Sequence, residues 1–208
     1  MESVILLADD EPIVRKGLIA LLNHNFKVKE INEASNCNEL MNLLKNKPYT
    51  HLITEILLAD GSTSSVLPSI REIYPDLKIM VFSDLTEEVI KSPLVAFGIY
   101  YFISKKALEH LTIRSIEKFL NNEIPINALK RIENSSKLLS LSPREFEVYS
   151  LLLLDKSTTE IAQELNIKKC TVSVMKHKIF EKNNVKNWKE LKELSSLHTI
   201  QGRKTAPK

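Results

Sequence analysis

Glycine is scarce. Gly17, Gly61, Gly98 and Gly202 are the only four in 208 residues. They cannot spell GxGxxG or GxxxxGK[ST], so the common dinucleotide and P-loop readings fall away, because both need glycine turns pressed against phosphates. Cysteine is scarcer still. Cys37 and Cys170 lie far apart in the chain, which excludes a disulfide framework and a cysteine-rich zinc site and makes a reducing cytoplasm the simplest compartment. Long apolar runs are missing as well. The longest are a few residues, such as Leu151 to Leu154, whereas a membrane helix needs about 20. The first residues, MESVILLADDEP, carry an acidic flank and no basic stretch, so no cleavable signal is expected. What remains is ordinary: 43% hydrophobic and 26% charged residues. That is enough for a core, it excludes a wholly disordered chain, and the length suits one or two domains.

The net charge of +3 hides two unlike parts. Residues 1–136 hold 15 Lys/Arg against 18 Asp/Glu, and residues 137–208 hold 14 against 8. A basic C-terminal third beside a mildly acidic front suggests a polyanion-binding module joined to something else. Lysines that merely solvate helices are the plainer explanation, and charge alone does not separate the two.

Periodicity divides the chain at the same place. Val4 to Ala8 is a short apolar run ending at Asp9-Asp10-Glu11-Pro12, as suits a strand buried on both faces. Val14, Leu18, Leu21 and Leu22 follow at helical spacing, and Lys27 to Ile31 alternates like an edge strand. The alternation continues through a helix around Leu40 to Leu44, a run His51 to Ile56, a turn at Ala59-Asp60-Gly61 and a helix near Ser64 to Ile73. A run Lys78 to Phe82, a helix near Glu87 to Phe97, a run Tyr100 to Ile103 and a helix Leu108 to Leu120 complete it. Strands alternating with helices predict an α/β fold with a five-stranded, doubly wound parallel sheet, whose functional groups gather at the carboxyl ends of the strands. The expected layout is an α/β domain over 1–122, a polar linker over 123–139, an all-α domain over 140–200 and a basic tail over 201–208.

The all-α part opens on Ser142-Pro143-Arg144-Glu145, and Ser157-Thr158-Thr159-Glu160 repeats the pattern. Both are capping boxes, the first with proline in the first turn. A third helix is predicted from about Cys170 to Lys182. Ile161, Ala162, Leu165, Ile167, Val172, Met175 and Ile179 would form the shared core. A short turn between two such helices is the helix-turn-helix arrangement, whose second helix enters a major groove. A generic three-helix bundle is the alternative; the basic balance and the tight turn favour DNA.

These residues carry a resemblance. Leu141-Ser142-Pro143-Arg144-Glu145, Val148, Glu160-Ile161-Ala162, Leu165, Ile167, Thr171-Val172 and Lys182 resemble the LuxR-type helix-turn-helix. Asp9-Asp10, Glu55, Ser83 and Lys105 resemble, in order and spacing, the functional positions of a receiver domain with its flavodoxin-like sheet. The whole chain resembles a two-domain response regulator of the NarL/FixJ type. In that family a phosphoryl group moves to an aspartate at the end of the third strand. The resemblance implies that Asp9 and Asp10 match the acidic pair that holds Mg²⁺, a hard cation suited to oxygen ligands. Ser83 matches the hydroxyl that bonds the phosphoryl group, Lys105 its ion-pair partner, and Phe102 the aromatic that changes rotamer with the switch.

The acceptor position departs from the family. Glu55 stands where the aspartate is expected, and Ala59 where a proline is common. Glutamate is one methylene longer and a poor acceptor where in-line geometry is tight. Its single charge mimics only part of the roughly −1.5 to −2 of a phosphoryl group. Three readings follow. Glu55 pairs with Lys105 and holds an active-like state; or Glu55 fills a pocket that has lost its switch; or phosphorylation has moved to Asp60, which a glycine turn otherwise explains. Asp9, Asp10 and Glu55 are the candidate ligands of a weakly held Mg²⁺, and no cofactor is otherwise required.

Carried onto this chain, the family's base-facing positions are Ser173, Val174 and His177, on one helix face. Serine accepts several bases, valine touches a thymine methyl, and histidine donates to guanine. His177 as an ordinary surface residue is the plainer reading. Lys169, Thr171, Lys178 and Lys182 are read as phosphate contacts, which position without specifying. Trp188, Leu191, Leu194 and Leu197 mark a last helix that in this family often pairs two domains; packing within its own domain is the simpler role for Trp188.

The expected function is a cytoplasmic DNA-binding transcription regulator, independent of phosphorylation. Its expected partners are double-stranded DNA, a second copy of itself, and a sensor kinase or auxiliary regulator. The alternative is a protein-interaction adaptor acting through a degenerate receiver. An enzyme is a distant third, because no nucleophile, base or phosphate loop accompanies the acidic cluster.

Overall fold

The structure is a computed structural model that describes residues 2–85, 94–95, 97–123 and 141–191. The helix expected near Glu87 to Phe97 lies mostly outside these residues, as do most of the linker, the last leucines at 194 and 197, and the tail.

Five parallel strands form one sheet in the order β2-β1-β3-β6-β7. They are β1 (Ser3–Ala8), β2 (Val28–Ala34), β3 (His51–Thr54), β6 (Lys78–Ser83) and β7 (Tyr101–Ser104). A two-stranded hairpin, β4 (Leu57–Leu58) and β5 (Gly61–Ser62), projects beyond β3. The helices of this part are α1 (Pro12–Asn25), α2 (Cys37–Asn46), α3 (Thr63–Ile73) and α4 (Glu109–Leu120). Because side chains alternate along a strand, β1 feeds both faces of the sheet. Leu6 and Ala8 join Leu40, Leu52, Leu67 and Ile70 on the side of α2 and α3. Ile5 and Leu7 join Leu18, Leu22, Ile53, Ile116 and Phe119 on the side of α1 and α4. The doubly wound sheet is therefore as expected, with Val28–Ala34 at its edge.

The strand order reverses at β1, where β2 lies on one side and β3 on the other. In open α/β sheets this is where a crevice opens at the carboxyl ends. Register brings the key positions together: Ala8 faces Thr54, and Ser83 faces Ser104. Asp9, Glu55 and Lys105 are the residues that leave those strands.

One core histidine is costly. His51 is 5% exposed, packs edge-on against Phe119 at 4.9 Å, and places Nδ1 2.8 Å from the Thr50 hydroxyl. Burial, aided by the charge of Lys78, pushes its pKa down to about 4. The folded chain thus keeps His51 neutral while the unfolded chain protonates it near its ordinary value. Stability should be fully present above the unfolded pKa and fall as pH drops from about 6.5 towards 4, by on the order of 3 kcal/mol. His51→Phe should flatten this part of a denaturation-versus-pH curve. An unchanged slope would assign the acid sensitivity to other groups.

The second unit holds α5 (Pro143–Leu153), α6 (Thr158–Glu164) and α7 (Lys169–Lys182). Both expected capping boxes form, at Ser142/Glu145 and at Ser157/Glu160. Between α6 and α7 the chain turns through Asn166 at φ 50°, and the Ile167 amide donates to the Ala162 carbonyl at 2.9 Å. Asparagine takes this left-handed step at small cost. Asn184 does the same at φ 53° after α7. Trp188 packs against the shared core and Leu191 is buried.

Candidate functional site

Two sites emerge. The first is a cavity of about 390 Å³ at the carboxyl ends of the strands, lined by Asp10, Glu11, Glu55, Ser83, Asp84 and Lys105 among others. Lys105 is its centre. Its Nζ lies 2.9 Å from Asp9 Oδ2, 3.1 Å from Glu55 Oε2 and 3.6 Å from Glu11 Oε1. The remaining oxygens of the two buried carboxylates are also engaged. Asp9 Oδ1 accepts the Glu11 amide at 2.9 Å, and Glu55 Oε1 accepts the Ile56 amide at 2.6 Å. Burial pushes the Glu55 carboxyl above its ordinary value, against the Ser83 hydroxyl, the Lys105 charge and the Ile56 amide, which all favour the anion. Burial alone would depress Lys105; the hydrogen bond it donates to Asp9 and the charges of Glu55 and Asp9 outweigh burial and leave the ammonium above its ordinary value. One ammonium thus serves two buried carboxylates.

Lys105 stands where Mg²⁺ was expected: its ammonium lies between the carboxylates of Asp9 and Glu55, and each of their oxygens has one partner. Among the described residues no group of three acidic, histidine or cysteine side chains stands ready to hold a metal ion. Asp10 lines the same cavity, half-exposed.

Ser83 is buried beside Glu55, and Phe102 is half-buried and packed against the core. The hairpin closes over the Glu55 backbone. The Thr63 hydroxyl donates to the Glu55 carbonyl at 2.8 Å, and the Ser62 hydroxyl to the Ile56 carbonyl at 3.0 Å. Sequence reading did not single out Thr63, Ser62 or Glu11; a hydroxyl pair placed just after the acceptor turn was the only signal. Asp60 is more than a turn residue. Its two oxygens accept the Cys37 and Asn38 amides at 2.7 and 3.1 Å, fastening the hairpin tip to the start of α2.

The second site is the outer face of α7. Ser173, Val174, His177, Lys178 and Lys169 are exposed, and Thr171 is half-exposed. Val174 stands 55% exposed, an uncommon placement for a valine within a helix that also packs a core. Ser173 returns its hydroxyl to the Lys169 carbonyl, and His177 lies 3.3 Å from Glu181. Lys182 has a partner within the fold. Its ammonium is 2.6 Å from Glu145, a carboxylate only 7% exposed. Burial raises that carboxyl, but Lys182 and the Ser142 amide outweigh burial and hold it below its ordinary value. A buried carboxylate needs a cation, so Lys182 ties α7 to α5. Lys182→Ala should cost about 1–2 kcal/mol, discounted for the partial exposure of the lysine. The loss should shrink as pH falls below the ordinary carboxyl pKa and disappear below the lower value Glu145 has in the fold. Urea denaturation at neutral and acid pH checks this.

Comparison with known proteins matches both units. The family model "Response regulator receiver domain" matches residues 5–117, and "Bacterial regulatory proteins, luxR family" matches residues 139–194. Response regulator UvrY of Escherichia coli (strain K12) is 23% identical over 206 residues, covering 94% of both chains. Fimbriae Z protein of the same strain is 24% identical over 204 residues, covering 94% of this chain and 97% of its own. Among solved structures, the RcsB response regulator of Salmonella typhimurium matches with a TM-score of 0.70 and 26% identity, over 94% of this chain and 98% of that one. An RcsB–DNA complex matches with a TM-score of 0.69 and 25% identity, over 94% and 100%. No described helix is long and apolar enough to cross a membrane. With a receiver match covering more than half of its 208 residues, followed by a luxR-family match on its helical unit, this chain belongs to the response regulators.

Proposed function

We propose that the protein is a transcription regulator that binds double-stranded DNA through α7, as a dimer, without phosphorylation of its receiver. The DNA reading rests on the relatives, which include a DNA complex of RcsB, and on the open face of α7. Lys169 and Lys178 flank Ser173, Val174 and His177 there. Lysines supply the phosphate attraction, and the shorter side chains between them meet base edges.

The phosphorylation reading is carried by one observation: Glu55 Oε2 lies 3.1 Å from Lys105, which also holds Asp9. The lysine that would meet an incoming phosphoryl group is already paired, and a glutamate stands in the acceptor position. A cytoplasmic setting follows from a regulator that must reach DNA.

A gel-shift titration against salt tests the DNA reading. Affinity should fall steeply as salt rises, in proportion to the phosphates contacted. Lys178→Ala should weaken all duplexes alike and lower the salt slope by about one, and Lys182→Ala should leave the slope unchanged. His177→Ala or Ser173→Ala should change preference between sites instead, by about 1–3 kcal/mol per good base contact. Absence of any salt-sensitive binding at low ionic strength would favour a protein-interaction adaptor.

A further inference from the structure

Helix α5 is buried all round. The eight consecutive residues Glu145 to Leu152 are all buried, among them Glu147 at 2% and Ser150 at 0% exposure. Eight residues make more than two helical turns, so no face of α5 is left to solvent. A three-helix unit alone covers one side of each helix. Here α6 and α7 cover one side, and the receiver covers the other.

The receiver contacts have several parts. Helix α3 packs on α5. Phe97 meets Phe146 edge to face, with ring centroids 5.9 Å apart. The Cys37 thiol at the start of α2 is pushed up to about 12, by burial first and then by Asp60 and Glu147. Buried residues of both units belong to one continuous cluster, which includes Leu67, Ile70, Leu94, Phe146, Tyr149 and Leu152. Leu154 and Lys156 from the turn after α5, Glu164 at the end of α6 and Leu165 just beyond it line the same cavity as Glu55 and Lys105. With all of this in place, Ser173, Val174 and His177 remain exposed.

We infer that the receiver is a standing structural partner of the DNA-binding unit, docked on α5, and that the chain binds DNA without undocking. The inference rests on the DNA-binding reading above. It assigns the receiver a supporting role: it covers an apolar and acidic face of α5 and leaves α7 open. The packing also roofs the acceptor pocket, so a protein-sized phosphodonor meets the α5–α6 turn before it meets Glu55.

The test uses the full chain and its single tryptophan, Trp188, which lies in the DNA-binding unit. Thermal unfolding is followed by Trp188 fluorescence and by far-ultraviolet circular dichroism, which sees both units. The two curves should coincide, and a saturating mixed-sequence duplex at low salt should raise both midpoints together. Curves that separate without DNA would show independent units and overturn the inference. A duplex that moves only the fluorescence curve would show that the chain undocks to bind, and would overturn it too. Phe97→Ala supplies the second readout. It should pull the two curves apart while duplex affinity stays within about twofold. A several-fold gain in affinity would make the docked form inhibitory, against the inference. Failure to bind any duplex sinks the DNA-binding reading as well, whereas separated curves with intact binding sink the inference alone.

Discussion

Lys105→Met should be the most damaging single substitution in the receiver. Asp9, Glu55 and Lys105 are 1%, 7% and 9% exposed at their side chains. The lysine is the cation within reach of both buried carboxylates, at 2.9 and 3.1 Å. Removing one member of a buried ion cluster leaves charge without compensation and costs about 3–5 kcal/mol. Against a total stability of about 5–15 kcal/mol, that is a large fraction. The pH dependence has a definite sign. An acid whose folded pKa is raised contributes stability below its unfolded value and loses it as pH climbs through the folded value. Without Lys105, Glu55 should be raised further, so the deficit of the variant should narrow as pH falls. Adding Glu55→Gln to Lys105→Met removes one of the stranded charges and should recover part of the loss, a coupling that a double-mutant cycle measures directly. Denaturant unfolding of the four proteins decides the matter. A loss below about 1 kcal/mol for Lys105→Met would show that the cluster is solvated enough to do without its cation.

The second large effect is chemical. A small acyl phosphate donor should leave the wild-type protein unlabelled, and Glu55→Asp should become labelled. The substitution withdraws the carboxylate by one methylene without changing charge. It breaks the close contact with Lys105 Nζ at 3.1 Å, freeing the lysine to meet an incoming phosphoryl oxygen. The cavity of about 390 Å³ admits a donor of that size. Intact-mass spectrometry reads the adduct, and a gel shift beside it separates the two roles of Glu55. If the glutamate mimics a phosphoryl group, unmodified Glu55→Asp should bind DNA less well than wild type, and the donor should restore binding. If the switch has simply been lost, both proteins bind alike with or without donor. Asp60 is poorly placed to replace Glu55, because both its oxygens already hold amides of α2. A phosphate adduct on the wild-type protein that Asp60→Ala removes would nevertheless overturn the phosphorylation-independent reading.

Much of both sites was legible before the fold was known. Asp9, Glu55, Ser83 and Lys105 stand at or just after strand ends, and parallel strands in register bring strand ends together whatever the details of packing. The two capping boxes were legible for a local reason, since Ser142 with Glu145 and Ser157 with Glu160 meet within one helical turn. The positions on the open face of α7 came from the resemblance to the LuxR-type helix-turn-helix, and their exposure came from the fold. The place of Lys105 was not legible, because residue types alone could not show that it would lie between the carboxylates rather than at their rim.

Sequence by itself determined the order of strands and helices, the helix-turn-helix and the identity of the residues at the acceptor position. These depend on near neighbours, on periods of two and 3.6 residues, and on caps. Tertiary structure alone decided the roles of charged residues whose partners are remote in the chain. Lys182 pairs with Glu145 across 37 positions, and Asp60 reaches Cys37 across 23. It also decided that α5 is covered on every side. Glu147 and Ser150 sit where an isolated amphipathic helix would meet water, and their burial follows from the receiver packed on them. A buried polar group is set by what faces it, and that is a property of the assembled fold rather than of the segment that carries it.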